Sequence, residues 1–281
     1  MNSLLQCMFH IPLFQKEIFE KPEVACKPIS LRLSNLLLQS LSGSDVQRRD
    51  VVDLKIYIDE QLPQFKGTRQ QDAQEFFQAI KGYIHRELNE ASEKARLCTE
   101  VKPGDVAGQI DAYVAARTRV HHSMITRLFE GLLLNTITCP CGHERMNVEV
   151  FDEFCLHLTD TGESFKISEL LSKYFQPEAI EELQCEHCGE KREASKQSVV
   201  KYFPKVLVLH VKRFAFAHNE GKKIEAEVEA ELSQQVFGET YQLSGLILHK
   251  GDLSKGHYFA WCLNPDNGRW YEYNDSQVAE R

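Results

Sequence analysis

Two residues near the C-terminal end of the chain are of the types that activate a thiol. His257 begins a predicted strand, Asn274 closes the next one, and a turn containing Asn267 and Gly268 joins them. Asn-Gly favours a tight hairpin. If the start of the first strand lies beside the end of the second, the side chains of His257 and Asn274 would be close enough to contact each other. An Asn that accepts from the imidazole Nδ1–H fixes the tautomer that leaves Nε2 free for a cysteine thiol. Taken alone, a histidine at this position would more often be an ordinary strand-end histidine.

Four of the nine cysteines form two close pairs, each followed by glycine. The pairs are Cys139 with Cys141 and Cys185 with Cys188. Two such pairs can hold Zn²⁺ tetrahedrally, because the glycine lets backbone amides turn back toward the sulfurs. The upstream spacing is shorter than the preferred one, so His143 is a competing ligand and two pairs of free thiols are the alternative. A zinc site filled by protein ligands would be structural and would join two hairpin tips.

The remaining cysteines and the start of the chain predict a reducing environment. The cysteine number is odd and no segment has the pattern of a secretory leader, which argues against a disulfide framework. We therefore expect a protein of the cytoplasm or the nucleus. Five cysteines are expected to be small buried apolar residues: Cys7, Cys26, Cys98, Cys155 and Cys262.

The charge balance restricts the classes of partner. Lys and Arg number 33 and Asp and Glu number 41, which gives a net charge of −8 at pH 7. An acidic chain without a basic stripe favours cationic partners and counts against a zinc-ribbon nucleic-acid binder. No apolar run approaches the roughly 20 residues of a membrane span. We expect neither nucleic acid nor a membrane as a partner.

Two periodicities divide the chain. Apolar residues recur every three or four positions over residues 71–89, and residues 110–127 also have a helical pattern, so the first part is predicted to be mainly helical. From Leu128 the period becomes two, with β-branched and aromatic residues between turn signals, which predicts strands. A short helix is expected over residues 167–174. Helices followed by strands indicate an α+β fold.

Several motifs occur in one order along nearly the whole chain. They are QQDAQEFF at Gln70–Phe77, the two Cys-Gly pairs, FPKVLVLHVKRF at Phe203–Phe214, KGHYFAW at Lys255–Trp261 and RWYEYNDSQV at Arg269–Val278. Their content and order resemble those of ubiquitin-specific proteases. The resemblance implies a single papain-like catalytic domain with a right-hand fold. Its parts would be a helical thumb over 1–127, zinc-ribbon-like β fingers over 128–200 and an antiparallel β palm over 201–281.

The resemblance also implies cysteine-dependent hydrolysis of the bond after the C-terminal Gly of ubiquitin. Ubiquitin and ubiquitinated proteins would be the partners, and we expect a monomer. On this basis His257 is the general base, Asn274 orients it and Asp275 is a second acid. Residues 218–223 and 251–256 match mobile loops over the ubiquitin tail. The residues that match tail-binding positions are Asp72, Glu75 and Tyr258.

The chain departs from the family pattern at its start. The family's nucleophile box reads roughly NTCYMNSxLQ, whereas the chain begins MNSLLQ, so the nucleophile is expected two residues ahead of Met1. Cys7 lies further along the predicted helix, where the helix dipole has faded, and is expected to pack in the core. The chain as given is therefore predicted to be inactive. A deubiquitinase with its thiol upstream and a ubiquitin-binding pseudoprotease or scaffold both remain open.

Overall fold

Helices make up most of the first part of the chain. The computed structural model describes residues 1–20, 27–41, 46–91, 94–159, 164–217, 220–252 and 255–281. Cys26, and residues 218–219 and 253–254 of the two expected loops, lie outside this description. The helices are α1 (Asn2–Phe9), α2 (Pro12–Glu20), α3 (Pro28–Leu41), α4 (Arg48–Gln61), α5 (Ala73–Leu88), α6 (Val106–Val120), α7 (Met124–Phe129) and α8 (Ile167–Tyr174).

The helix α5 buries the apolar stripe predicted for it. Phe76, Ile80, Ile84 and Leu88 lie in one core with side chains of α1 to α4 and α7. Full burial of such a side chain contributes about 1.5–3 kcal/mol. The stripe therefore holds α5 firmly, and with it the polar residues at its N-terminal end.

The helix predicted over residues 110–127 is divided in two. α6 ends at Val120, and extended backbone at His121 and Ser123 separates it from α7. The Thr126 N–H donates to the Ser123 hydroxyl over 3.4 Å, and the Ser123 N–H donates to the Thr126 hydroxyl over 3.0 Å. This reciprocal cap satisfies amide groups at the start of α7. The Ser-x-x-Thr pattern therefore marks the break between α6 and α7, which the spacing of the apolar residues does not reveal.

Strands follow the helices. They are β1 (Glu100–Val101), β2 (Gly131–Thr138), β3 (Glu144–Phe151), β4 (Phe154–His157), β5 (Phe165–Lys166), β6 (Glu178–Gln184), β7 (Lys191–Tyr202), β8 (Leu209–Lys212), β9 (Phe214–Ala217), β10 (Glu220–Lys223), β11 (Val228–Glu229), β12 (Ser233–Val236), β13 (Glu239–Gln242), β14 (Gly245–Gly251), β15 (Gly256–Leu263), β16 (Trp270–Asn274) and β17 (Gln277–Glu280). Helices first and strands later confirm the predicted α+β class.

A five-stranded antiparallel sheet has the order β1-β3-β2-β7-β6. Its β2–β3 and β6–β7 hairpins are neighbours because β2 pairs with β7, with Thr138 opposite Ser195. The β2–β3 and β6–β7 turns consequently lie at the same end of the sheet. These are the turns that carry the two cysteine pairs.

A four-stranded antiparallel sheet has the order β14-β15-β16-β17, and α1 packs against its first three strands. The expected turn joins β15 to β16, and Gly268 in it has φ of 68°. This conformation favours glycine, which explains the Asn-Gly signal. The sheet therefore sets the start of β15 beside the end of β16.

A second core joins the remaining strands to α8. Phe154 of β4 and Leu170 of α8 pack with Val200 and Val236, and β4 pairs in parallel with β8. Parts of the segment 128–200 thus pack with the residues that follow it, and the division at 127 and 200 stays a prediction. Within the described ranges, no helix has the length and hydropathy needed to cross a membrane.

Candidate active site and metal centre

The predicted base and its partner meet at one end of the four-stranded sheet. His257 Nε2 lies 2.7 Å from the side-chain oxygen of Asn274. The prediction that Nδ1 makes this contact is wrong. Ala260 pairs with Tyr273, so the register places Asn274 diagonally from His257, and the ring reaches across with its far nitrogen. Nδ1 is then the ring nitrogen that does not contact Asn274.

Asp275 lies beside this pair in the turn between β16 and β17. Its Oδ2 is 3.9 Å from His257 Nε2, and its side chain is 76% exposed. Asp275 has φ of 53°, a left-handed conformation that Asp tolerates better than most residues. The side-chain amide of Asn2 donates to the Asp275 carbonyl over 3.2 Å. The start of α1 is therefore adjacent to the three predicted catalytic residues.

Gln70 holds the residue that precedes the histidine. Its side-chain amide donates to the Gly256 carbonyl, and its oxygen accepts from the Gly256 N–H over 3.0 Å. A Cβ at Gly256 would lie 1.8 Å from His249 Nε2, so any larger residue there would require the His249 ring to move. Sequence reasoning included Gln70 in a motif but gave it no role of its own, because the contact joins residues 186 positions apart.

The predicted tail-binding residues gather at the start of α5. Asp72 caps the helix, since its Oδ1 accepts from the N–H groups of Gln74 (2.8 Å) and Glu75 (3.0 Å). Its Oδ2 accepts from the Tyr258 hydroxyl over 3.4 Å. Burial and the nearby Asp72 charge raise the pKa of Tyr258 to about 12, so the hydroxyl stays protonated. Glu75 is exposed on the first turn of the helix.

The two cysteine pairs come together as predicted. The Sγ atoms of Cys139, Cys141, Cys185 and Cys188 all lie within 4.8 Å of one another. The Sγ atoms of Cys141 and Cys185 are 3.7 Å apart. His143 lies outside this group and instead stacks on the His187 ring, with centroids 5.4 Å apart. The four thiols, without His143, form the candidate metal centre.

Backbone geometry around the four-cysteine cluster suits a zinc site. Gly142 and Gly189 have φ of 85° and 72°, and their N–H groups donate to the carbonyls of Cys139 and Cys185. The Cys188 and His187 amides donate to Cys185 and lower the pKa of its thiol to about 6. A set of four cysteine sulfurs beside backbone N–H donors fits Zn²⁺, which such a set binds tetrahedrally.

The cysteines outside this cluster differ in their surroundings. Cys262 is buried, as predicted, and its Sγ lies 3.7 Å from that of Cys7. The expectation of burial is wrong for Cys98, which is exposed in a segment without helix or strand. Cys155 is half-buried and contacts polar side chains, which the apolar interpretation did not anticipate.

The chain is similar in sequence to known proteins over nearly its whole length. The family model described as ubiquitin carboxyl-terminal hydrolase matches residues 1–281. Ubiquitin carboxyl-terminal hydrolase 2 of Bos taurus is 28% identical over 99% of this chain and 50% of its own length. Ubiquitin carboxyl-terminal hydrolase Usp2 of Drosophila melanogaster is 26% identical over 100% of this chain and 31% of its own length. The chain thus spans half or less of these curated relatives.

Solved structures agree in fold. The SAGA DUB module of Ubp8, Sgf11, Sus1 and Sgf73 bound to monoubiquitin matches with a TM-score of 0.80 at 24% identity, covering 100% of this chain and 62% of that chain. The same module bound to ubiquitin aldehyde matches with a TM-score of 0.76. These matches confirm the predicted fold. The chain belongs to the ubiquitin carboxyl-terminal hydrolase family, as its resemblance to ubiquitin-specific proteases predicted.

Proposed function

We propose that the chain is the catalytic domain of a cysteine-type deubiquitinase, which hydrolyses the bond after the C-terminal Gly of ubiquitin. The observation that supports this most is the 2.7 Å contact between His257 and Asn274, beside the start of α1. The related fold is found bound to monoubiquitin, which supports ubiquitin as the partner.

In the proposed reaction His257 is the general base. Asn274 accepts from Nε2–H and fixes the tautomer in which Nδ1 accepts the thiol proton. The thiolate forms a bond to the Gly carbonyl carbon, and the bond to the leaving amine breaks as the imidazolium gives that amine its proton. In the second step His257 accepts a proton from water, the water oxygen forms a bond to the carbonyl carbon, and the carbon–sulfur bond breaks. The imidazolium then returns the proton to the released thiolate.

We place the nucleophilic thiol two residues ahead of Met1. The Asn2 contact with Asp275 brings this end of α1 to the proposed base. The positive N-terminal end of a helix lowers the pKa of a thiol there and so favours the thiolate. Cys7 does not suit this role. Its hydrogen bond with the Cys262 thiol and its burial raise the pKa of the Cys7 thiol well above the usual range.

We propose that Asp72, Glu75 and Tyr258 bind the basic tail of ubiquitin. Asp72 uses one oxygen as the helix cap and presents the other to Tyr258, which fixes the carboxylate. Glu75 is exposed one turn away and is of the charge that pairs with arginine. The net charge of −8 agrees with a cationic ligand.

We also propose that Zn²⁺ is the ion of the four-cysteine cluster. It would hold the β2–β3 and β6–β7 turns together, which is a structural role. We place the protein as a monomer in the cytoplasm or the nucleus.

A ubiquitin-binding pseudoprotease or scaffold is the second candidate. Among the described residues, the polar partners of His257 are Asn274 and Asp275, and no thiol contacts its imidazole. Such a protein would retain affinity for ubiquitin and release no product.

The two candidates are separated by adding the residues Asn-Thr-Cys-Tyr ahead of Met1. We expect this extended chain to cleave a ubiquitin C-terminal fluorogenic substrate, because the thiol would meet His257 at the start of α1. The matched control carries Ala instead of Cys in the extension and should bind ubiquitin without turnover. Binding without turnover by both proteins would favour the pseudoprotease.

Gln70→Ala is expected to lower kcat of the extended chain about 30-fold, since two hydrogen bonds of about 1 kcal/mol each, about 2 kcal/mol in all, position Gly256 before His257. KM should change little, because Gln70 acts through the position of His257. Gln70→Glu, which keeps the oxygen for the Gly256 N–H, should lie between the wild type and Gln70→Ala. Gln71→Ala is the matched control, as Gln71 bonds to Gln64 instead. Equal kcat values for Gln70→Ala and Gln71→Ala would refute this role.

A further inference from the structure

A carboxylate, a thiol and an imidazole meet on the strands β4 and β8, away from the four-cysteine cluster. β4 pairs in parallel with β8, and the register sets Cys155 beside His210. Glu153 lies just ahead of β4, and all three side chains are half-buried. One ligand atom from each lies within 4.8 Å of the others.

The distances among these atoms match those around a tetrahedral metal ion. Cys155 Sγ lies 3.4 Å from Glu153 Oε1 and 3.8 Å from His210 Nδ1. Zinc bonds of about 2.3 Å to sulfur and about 2.0–2.2 Å to nitrogen or oxygen, at tetrahedral angles, separate such pairs by about 3.6 Å. An ion can therefore be accommodated with only small movements of the side chains.

The polar atoms around Glu153 are also arranged as they are around a metal ligand. The Gln74 side-chain amide donates to Glu153 Oε1 over 2.6 Å, which orients the carboxylate. Among the described residues, the buried Glu153 Oε2 has no hydrogen-bond partner. Lys81 bonds to the neighbouring Asp152 over 2.8 Å and holds this segment against α5. The Glu153 carboxylate is thus held in place by Gln74, and its Oε2 is still able to accept a bond.

We propose that Glu153, Cys155 and His210 form a second site for a divalent metal of the zinc class, with three protein ligands and one open position. A thiolate and an imidazole beside one carboxylate suit Zn²⁺ rather than Mg²⁺ or Ca²⁺, which take oxygen ligands. On binding, the Cys155 S–H bond breaks, its proton passes to water and the sulfur forms a bond to the ion.

Zinc titration of the purified chain, against a competing chelator, tests this site. The wild type should show two classes of zinc site, the four-cysteine cluster and a second one. Cys155→Ser and His210→Ala should remove the second class, and Gln74→Ala should weaken it about 10–100-fold. Cys98→Ser is the matched control and should retain both classes. A single class of zinc site in the wild type, or a second class unchanged in Cys155→Ser and His210→Ala, would overturn the proposal.

Alkylation of the wild-type protein gives a second readout that needs no variant to fold. Zn²⁺ should slow the reaction of Cys155 with iodoacetamide, because a metal-bound sulfur is no longer a free nucleophile. The exposed Cys98 should react at the same rate with and without Zn²⁺ in the same sample. Peptide mass spectrometry reports both residues. An unchanged rate at Cys155 would contradict the proposed metal site. Glu153, Cys155 and His210 would then form only a hydrogen-bond network.

Discussion

His257→Ala in the chain extended with Asn-Thr-Cys-Tyr is expected to lower the rate of ubiquitin-substrate cleavage by about 100- to 10,000-fold. That is the usual contribution of a positioned general base and acid. The loss should fall on kcat, because His257 moves protons and Asp72, Glu75 and Tyr258 are proposed to bind the tail. Steady-state kinetics with a fluorogenic ubiquitin substrate measure it.

Variants of Asn274 provide the control for this prediction. Asn274→Asp retains an oxygen that accepts from Nε2–H, so most of the activity should remain. Asn274→Ala removes the acceptor and should lower kcat, because the tautomer with a free Nδ1 is no longer favoured. Wild-type kcat in His257→Ala, or equal rates in the two Asn274 variants, would contradict the assigned roles.

Cys185→Ser is expected to remove one zinc ion per chain and to destabilise the five-stranded sheet. Structural zinc sites contribute about 10–16 kcal/mol to the folding of small zinc-finger peptides. Here the sheet keeps its backbone pairing, so we expect a smaller loss of at least about 3 kcal/mol. At roughly 2–4 °C per kcal/mol, Tm should fall by about 6 °C or more.

Metal analysis and thermal unfolding of the same samples test this loss. Cys98→Ser removes an exposed thiol outside the cluster and should leave both the four-cysteine ion and Tm unchanged. Removal of the metal from the wild type with a chelator should lower Tm, as Cys185→Ser is expected to do. A wild-type Tm that is insensitive to chelation would contradict a structural metal at the four cysteines.

Local patterns predict much of this structure. Apolar spacing identifies α5, and the helix expected over 167–174 coincides with α8 because its apolar face is strongly periodic. The Asn-Gly turn fixes the hairpin, and the hairpin brings His257 to Asn274. These features depend on residues that are close in sequence, so a single amino-acid sequence is enough to predict them.

The features that sequence reasoning missed depend on register or on distant contacts. Which nitrogen of His257 meets Asn274 follows from the diagonal register of β15 and β16, which composition does not reveal. The contact of Gln70 with Gly256 crosses 186 positions, and Cys155 meets His210 only through the parallel pairing of β4 and β8. No periodic pattern reports such pairings.

The central claim is that a thiol at the start of α1 is activated by His257, and covalent capture tests it most directly. The extended chain is mixed with ubiquitin that carries a Michael acceptor at its C-terminus, and mass spectrometry locates the adduct. We predict an adduct at the cysteine ahead of Met1, formed much more slowly in His257→Ala, with Cys7 unmodified because it is held against Cys262. An adduct at Cys7, or equal rates with and without His257, would contradict the claim.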